Sequence, residues 1–254
     1  MADEKATYSI RSVDRVCDIL DALANSRSGV TLTEIATIAD LPKSSTFRYL
    51  SALESRHYVQ RESDSITYRL GPAFRTQYTV GVARLADLAQ QPLEQLRDKR
   101  GETTNLGILD GTAVMHRIVC ESKHPMRLAA RVGDREHVHS TALGKAMCAA
   151  LPDAQVRSII SASGMPKLTD STITNIDDFF TELERVRARG YAIDDAENQP
   201  DGRCAAVAIP DLPFPAGVSV SAPANRLVPA DVPAVARQLR RIAVELAAQM
   251  QRWS

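Results

Sequence analysis

Between Lys43 and Ser51 the chain carries side chains suited to a nucleic-acid groove: Lys43, Ser44, Ser45, Phe47, Arg48 and Ser51. Lysine and short hydroxyls reach phosphate oxygens, and arginine can meet the O6 and N7 edge of guanine with two hydrogen bonds. Phe47 is the apolar exception, a ring of the kind that packs on a thymine methyl. An ordinary helical hairpin with a polar outer face would carry a similar mixture. A second chemical group lies in the C-terminal half, where Asp194-Asp195, Glu197 and Cys204 follow His116, His124, His137 and His139. On paper these are carboxylates for acid–base work and His/Cys donors for a metal. Neighbouring strand residues point to opposite faces, however, so Asp194 and Asp195 do not serve one site. The histidines and cysteines lack recognised metal-ligand spacings. No G-x-S-x-G elbow, Gly-rich phosphate loop or H-E-x-x-H occurs. The catalytic alternative is Cys204 as a nucleophile beside an aspartate and His139, for which the sequence offers no oriented base. The expectation is neither catalysis, nor a bound metal, nor a cofactor.

The groove-reading face needs a scaffold, and Thr31 to Arg56 supplies it. Thr31 and Glu34 have the spacing of a capping box, and Leu32, Ile35, Ala36 and Ala39 then fall on one helical face. Asp40-Leu41-Pro42 interrupts, and Pro42 suits the first turn of a second helix. In that helix Thr46, Tyr49, Leu50 and Leu53 face inward, leaving the polar set outside. His57 to Arg61, a polar turn at Glu62 to Ser65, and Ile66 to Leu70 read as a β-hairpin. This makes a wing, with Arg61 and Arg69 placed for backbone or minor-groove contacts. Ser12 to Ala24 reads as a support helix with Val13, Val16, Cys17, Leu20 and Leu23 inward, and Cys17 as a packed thiol.

The remaining chain fits a second domain. With 254 residues, 44% hydrophobic and 24% charged, the chain is globular and long enough for two domains. Net charge is zero, so any field for nucleic acid must be local. MADEKATYSI has no apolar core for a secretion signal, and no apolar run approaches the roughly 18 residues of a membrane span. Cys17, Cys120, Cys148 and Cys204 are scattered, as expected for thiols in a reducing cytoplasm. The boundaries read as a winged helix–turn–helix domain over 1–71, a linker helix over 72–91 ended by Gln90-Gln91-Pro92, and a second domain over 92–254. There, Leu93 to Lys99 reads as a short helix. Strands are expected at Thr103–Ile108, Ala113–Val119, Met126–Ala130, Tyr191–Asp195, Ala205–Ile209 and Gly217–Ala222. Helices are expected at Thr141–Leu151, Asp153–Ser161, Ile176–Arg189 and Val232–Met250. An antiparallel sheet with grouped helices is α+β.

Ser12-Val13-Asp14-Arg15, LTEIA, LPKSSTFRYLSALE, YRLG, ALGKAM and RGYAIDDAEN occur in an order that resembles the IclR family of bacterial transcription regulators. The resemblance runs from about Ser9 to the C-terminal helix. It departs at His57 and near Asp201, where the family usually has glycine. The resemblance implies a GAF-like sensor domain, double-stranded operator DNA as partner, a small-molecule effector and a homodimer or homotetramer. A repressor is the first reading and an activator of the same architecture the alternative. Linker residues from Val80 to Leu88, Val82 and Leu85 included, are expected at the dimer contact. Carried over position by position, the family pocket puts Ala142, Leu143, Asp194 and Cys204 against the effector. Leu106, Ile108, Met115, Met126 and Leu128 are candidate apolar walls. Free N–H groups at Ala142 and Leu143 suit a carboxylate, so the implied effector is an organic acid.

Overall fold

The computed structural model describes residues 10–24, 26, 29–61, 66–128 and 130–252, so the expected turn at 62–65 lies outside the described residues. The chain forms two compact units, one ending at Gly81 and the other beginning at Val82.

In the first unit, α1 (Arg11–Ala24), β1 (Val30–Thr31), α2 (Leu32–Ile38), α3 (Lys43–Glu54), β2 (Val59–Arg61) and β3 (Thr67–Leu70) follow in order. The sheet runs β1-β3-β2. The Thr31–Glu34 capping box forms, with Thr31 N–H donating to Glu34 Oε2 at 2.8 Å and Glu34 N–H to Thr31 Oγ1 at 3.3 Å. Ile35, Leu41, Leu50, Val59 and Tyr68 close one core with Ile19 and Leu23 of α1. The phase of α1 differs from expectation. Its buried side chains are Ile19, Ala22 and Leu23, while Val13 and Cys17 are exposed. The stripe that meets the core begins one to two turns later than the sequence pattern suggests, so Cys17 is not a packed thiol. His57 takes φ +61 after α3, and Asp201 takes φ +58. Both positions therefore hold the left-handed backbone that favours glycine.

The helix α4 (Pro72–Arg100) runs without a break through Pro92. Proline removes one helical hydrogen bond, at a cost of about 3 kcal/mol or more in a helix interior. Here Leu85, Ala89, Leu93 and Leu96 keep one buried stripe in phase across it, and their burial outweighs that loss. The two expected helices are thus one. The same stripe corrects the expected dimer contact: Val82 and Leu85 are 3% and 0% exposed and belong to the core of their own unit.

The second unit continues with β4 (Thr103–Asp110), β5 (Ala113–Cys120), β6 (Arg135–His137), α5 (Ala142–Ala149), α6 (Asp153–Ser163), α7 (Ile176–Arg189), β7 (Ala192–Asp195), β8 (Gly202–Ala208), β9 (Ala216–Pro223) and α8 (Val232–Gln251). One antiparallel sheet, ordered β6-β5-β4-β9-β8-β7, makes the unit α+β. Asn175 caps α7 by accepting from the amides of Asp177 and Asp178, and Gly190 ends it at φ +75. Among the described residues of 126–130 no strand forms; β6 takes the edge beside β5. One sheet face packs on α4 and α8 through Leu106, Ile108, Val218 and Val220. The other packs on α5, α6 and α7 through Val114, Ala192 and Ala206.

Candidate functional site

On α3, Thr46 and Leu50 are buried and Tyr49 and Leu53 half-buried, which turns the opposite face outward. Lys43, Ser44, Phe47 and Arg48 are exposed there, with Ser45 and Ser51 half-buried at its margin. Phe47 is 51% exposed, a large ring held in solvent by its helical phase alone. Pro42 occupies the N-cap and makes no side-chain cap. The first amides of α3 are therefore open to an anion beside Lys43 and Ser44. In the wing, Gln60 pairs with Arg69 and Arg61 with Tyr68. Arg61 and Arg69 thus lie on opposite faces of the ribbon and do not converge on one contact.

The cavity of the second unit starts from a polar row across the sheet. Register places Asp194 beside Cys204, Cys204 beside Ser221, and Ser221 beside Thr103. A second row sets Asn105 beside Ser219, and Asn105 Nδ2 donates to both Ser219 Oγ and Ser221 Oγ at 3.1 Å. α5 lies over these rows. Thr141 caps it, accepting from Gly144 N–H at 3.1 Å, which leaves the amides of Ala142 and Leu143 without partners in the helix. The close approach needs Gly144, since a Cβ there would stand 2.3 Å from the Val138 carbonyl oxygen. Leu143 seats in a notch on the sheet made by the paired Gly107 and Gly217.

Together these residues enclose a cavity of about 40 Å³. Ala142, Leu143, Asp194, Cys204 and Leu128 line it; Met115 does not. A bulge between Leu106 and Gly107 sets the parity of β5, so that His116 faces the cavity and Met115 packs on the α8 side. Leu106 and Ile108 also belong to that other core, and Met126 is 72% exposed. Of the expected apolar walls only Leu128 lines the cavity, and much of the rest of its lining is polar: Asn105, His116, Glu136, Asn198, Ser219 and Ser221. The alternation Ser219-x-Ser221 within an apolar strand, and Asn105 within TTNLGILD, were the legible signals for them.

Burial sets the electrostatics. It raises the Asp194 carboxyl to about 6, against the amides of Glu197 and Asn198, which donate to its Oδ1 at 2.8 and 3.2 Å, and against the nearby charge of Lys145. Asp195 points outward and pairs with Arg203. Lys145, fully buried on α5, is ion-paired with Glu197. Burial likewise pushes Glu197 up, and it pushes the Cys204 thiol well above the ordinary range. His139 bonds Pro166 O at 3.1 Å, is lowered by burial and does not line the cavity with Cys204.

Comparison with known proteins agrees with both halves. Residues 12–63 match the IclR helix-turn-helix domain, and residues 77–248 match the bacterial transcriptional regulator IclR C-terminal domain. The HTH-type transcriptional regulator BhcR of Paracoccus denitrificans is 35% identical over 93% of this chain and 86% of its own. The transcriptional repressor IclR of Escherichia coli is 30% identical over 89% and 85%. The crystal structure of Thermotoga maritima IclR superposes with a TM-score of 0.63 at 26% identity, covering 95% of this chain and 99% of that one. A helix–turn–helix with an exposed reading face, joined to an α+β unit of matching type, has one reading: the chain belongs to the IclR family of DNA-binding bacterial transcription regulators.

Proposed function

We propose that the protein is a repressor that works in the cytoplasm, binding double-stranded operator DNA as a homodimer or homotetramer and responding to a small organic acid. The reader is residues 1–71, the linker 72–91 and the sensor 92–254. Lys43, Ser44, Ser45 and Ser51 hold the phosphates with Arg61 and Arg69, while Arg48 and Phe47 read base edges. Half-sites recur about every 34–36 Å of duplex, so a small change in how two readers are spaced misaligns them. A coupling of roughly 1–3 kcal/mol is typical of such control.

The observation that carries the acid effector is the cavity beneath α5, where open amides at Ala142 and Leu143 meet the acceptor Asp194 and the thiol of Cys204. Burial holds the thiol protonated, which favours binding over turnover. Fluorescence anisotropy on operator DNA, with isothermal titration of small acids, tests the proposal. An acid should bind in the micromolar to millimolar range, emerge unchanged and shift operator affinity. Chemical conversion of the acid, or binding only of nucleotides, would refute it. A promoter–reporter assay separates repressor from activator.

A further inference from the structure

The chain has no net charge, yet the two grooves that α1 borders differ sharply in sign. One is lined by Asp18, Asp21 and Glu34, with Ala22 and Ile38 between them. The other, of about 340 Å³, is lined by Arg15 of α1 and by Ser45, Arg48, Tyr49 and Ala52 of α3, and no carboxylate lines it. Among the described residues, neither arginine has an ion pair or a hydrogen bond of its own. Two like charges that share a groove repel each other. The arrangement therefore suits an anion brought from outside.

Helix phase explains how Arg15 comes to be there. Ile19, four residues on, is buried in the core with Ala22 and Leu23. Residues four apart lie on one helical face, so Arg15 continues the core-facing stripe of α1 one turn beyond the core and is exposed there. On α3, Ser45, Arg48, Tyr49 and Ala52 are three or four residues apart and make one flank. Ser45 and Arg48 belong to the reading face as well, so the groove carries that face onto a second helix. A major groove about 12 Å wide takes one helix, whose side chains reach the base edges. With α3 seated in it, α1 stands outside, and a side chain from α1 meets the wall of the groove. That wall is phosphate.

We infer that Arg15 is a further DNA contact, holding a backbone phosphate in the groove between α1 and α3 beside the hydroxyls of Ser45 and Tyr49. This rests on α3 being the reading helix. Arg15 contributes charge and register, because a phosphate contact carries no sequence information. Arg48, on the same groove, supplies the base preference.

Fluorescence anisotropy of the full-length protein tests this, on a duplex that the wild type enriches from a random-sequence library. Arg15→Gln should lower the slope of log affinity against log salt by about 0.9 for each protomer bound, and weaken binding about tenfold per contact near 0.1 M salt. Its preference at every base position, and its Tm, should match wild type. Arg15→Lys keeps the charge and should restore the slope. Arg241→Gln, at an exposed position of α8, removes the same charge from the sensor and should leave the slope alone. An unchanged slope for Arg15→Gln, an altered base preference, a lysine variant as weak as the glutamine one, or an equal effect at Arg241 would overturn the inference. Lys43→Gln and Arg48→Ala separate the two layers. If neither changes slope or preference, or if the wild type enriches no sequence, α3 is not the reader and both readings fall. If they do and Arg15→Gln does not, only the contact from α1 falls.

Discussion

Replacing Lys145 by Met should destabilise the sensor unit by about 3–5 kcal/mol, the scale for removing one partner of a buried ion pair. Lys145 is 0% exposed, and the ammonium meets the carboxylate of Glu197, itself 8% exposed. Glu197 Oε2 already lacks a partner, so removing the ammonium leaves the whole carboxylate unsatisfied. For a unit of this size the cost corresponds to a fall of about 6–20 °C in Tm, at roughly 2–4 °C per kcal/mol. The loss should depend on pH. Burial raises the folded-state pKa of Glu197, so its stabilising share is fully present below its unfolded value and is lost as pH rises through the folded one. The variant's deficit must therefore shrink at pH 5 and grow at pH 8. Lys145→Met with Glu197→Met should recover most of the stability, because replacing a buried pair by apolar side chains is often neutral or better. Scanning calorimetry of the two singles and the double, at both pH values, measures each term. A single-variant loss under about 1 kcal/mol, or a double variant as unstable as the sum of the singles, would refute the reasoning.

Arg48→Ala should remove about 1–3 kcal/mol of preference at one G·C operator position, and Phe47→Ala should relax one T·A position without altering the salt slope; unchanged binding profiles would move the reading surface elsewhere. Asp194, raised by burial to about 6, contributes stability that is full below its unfolded pKa and lost as pH rises through about 6. Asp194→Asn should flatten the Tm-against-pH curve over that window, and a curve parallel to wild type would contradict the assignment. Val80 is 45% exposed, so Val80→Asp should reduce the mass seen by light scattering at unchanged Tm, whereas Leu85→Asp should unfold the sensor; a variant at Val80 that keeps its mass places the contact away from that residue.

Much of this fold is written in local signals. The Thr31–Glu34 box, the Asn175 cap and the Gly190 stop each act within one turn of helix, and the structure has all three. Register is not local. Whether Met115 or His116 faces the cavity depends on a bulge that only the pairing of β4 with β5 defines, so one residue of slip exchanged an apolar wall for a polar one. Helix phase failed for a similar reason at α1, where the partner surface rather than the apolar count decides which stripe is buried. Pro92 misled because a breaker is a local cost, and the stripe from Leu85 to Leu96 is a long-range gain. Lys145 was invisible as a buried charge, since nothing in the sequence announces that α5 is covered on every side.

The two contacts that seat α5 differ in give, and this bears on how such a sensor can be retuned. A methyl added at Gly107 would meet Leu143 Cδ1 at 2.9 Å, the end of a side chain that can rotate aside. One added at Gly144 would meet the Val138 backbone at 2.3 Å, which cannot move without lifting the helix. Drift at the sheet side can therefore reshape the roof of the cavity in small steps while the helix keeps its seat. New ligand sizes are accessible through Gly107, and a biosensor library is best concentrated there, with Gly144 left untouched and Gly217 held by the Val207 carbonyl, 3.0 Å from where a Cβ would stand.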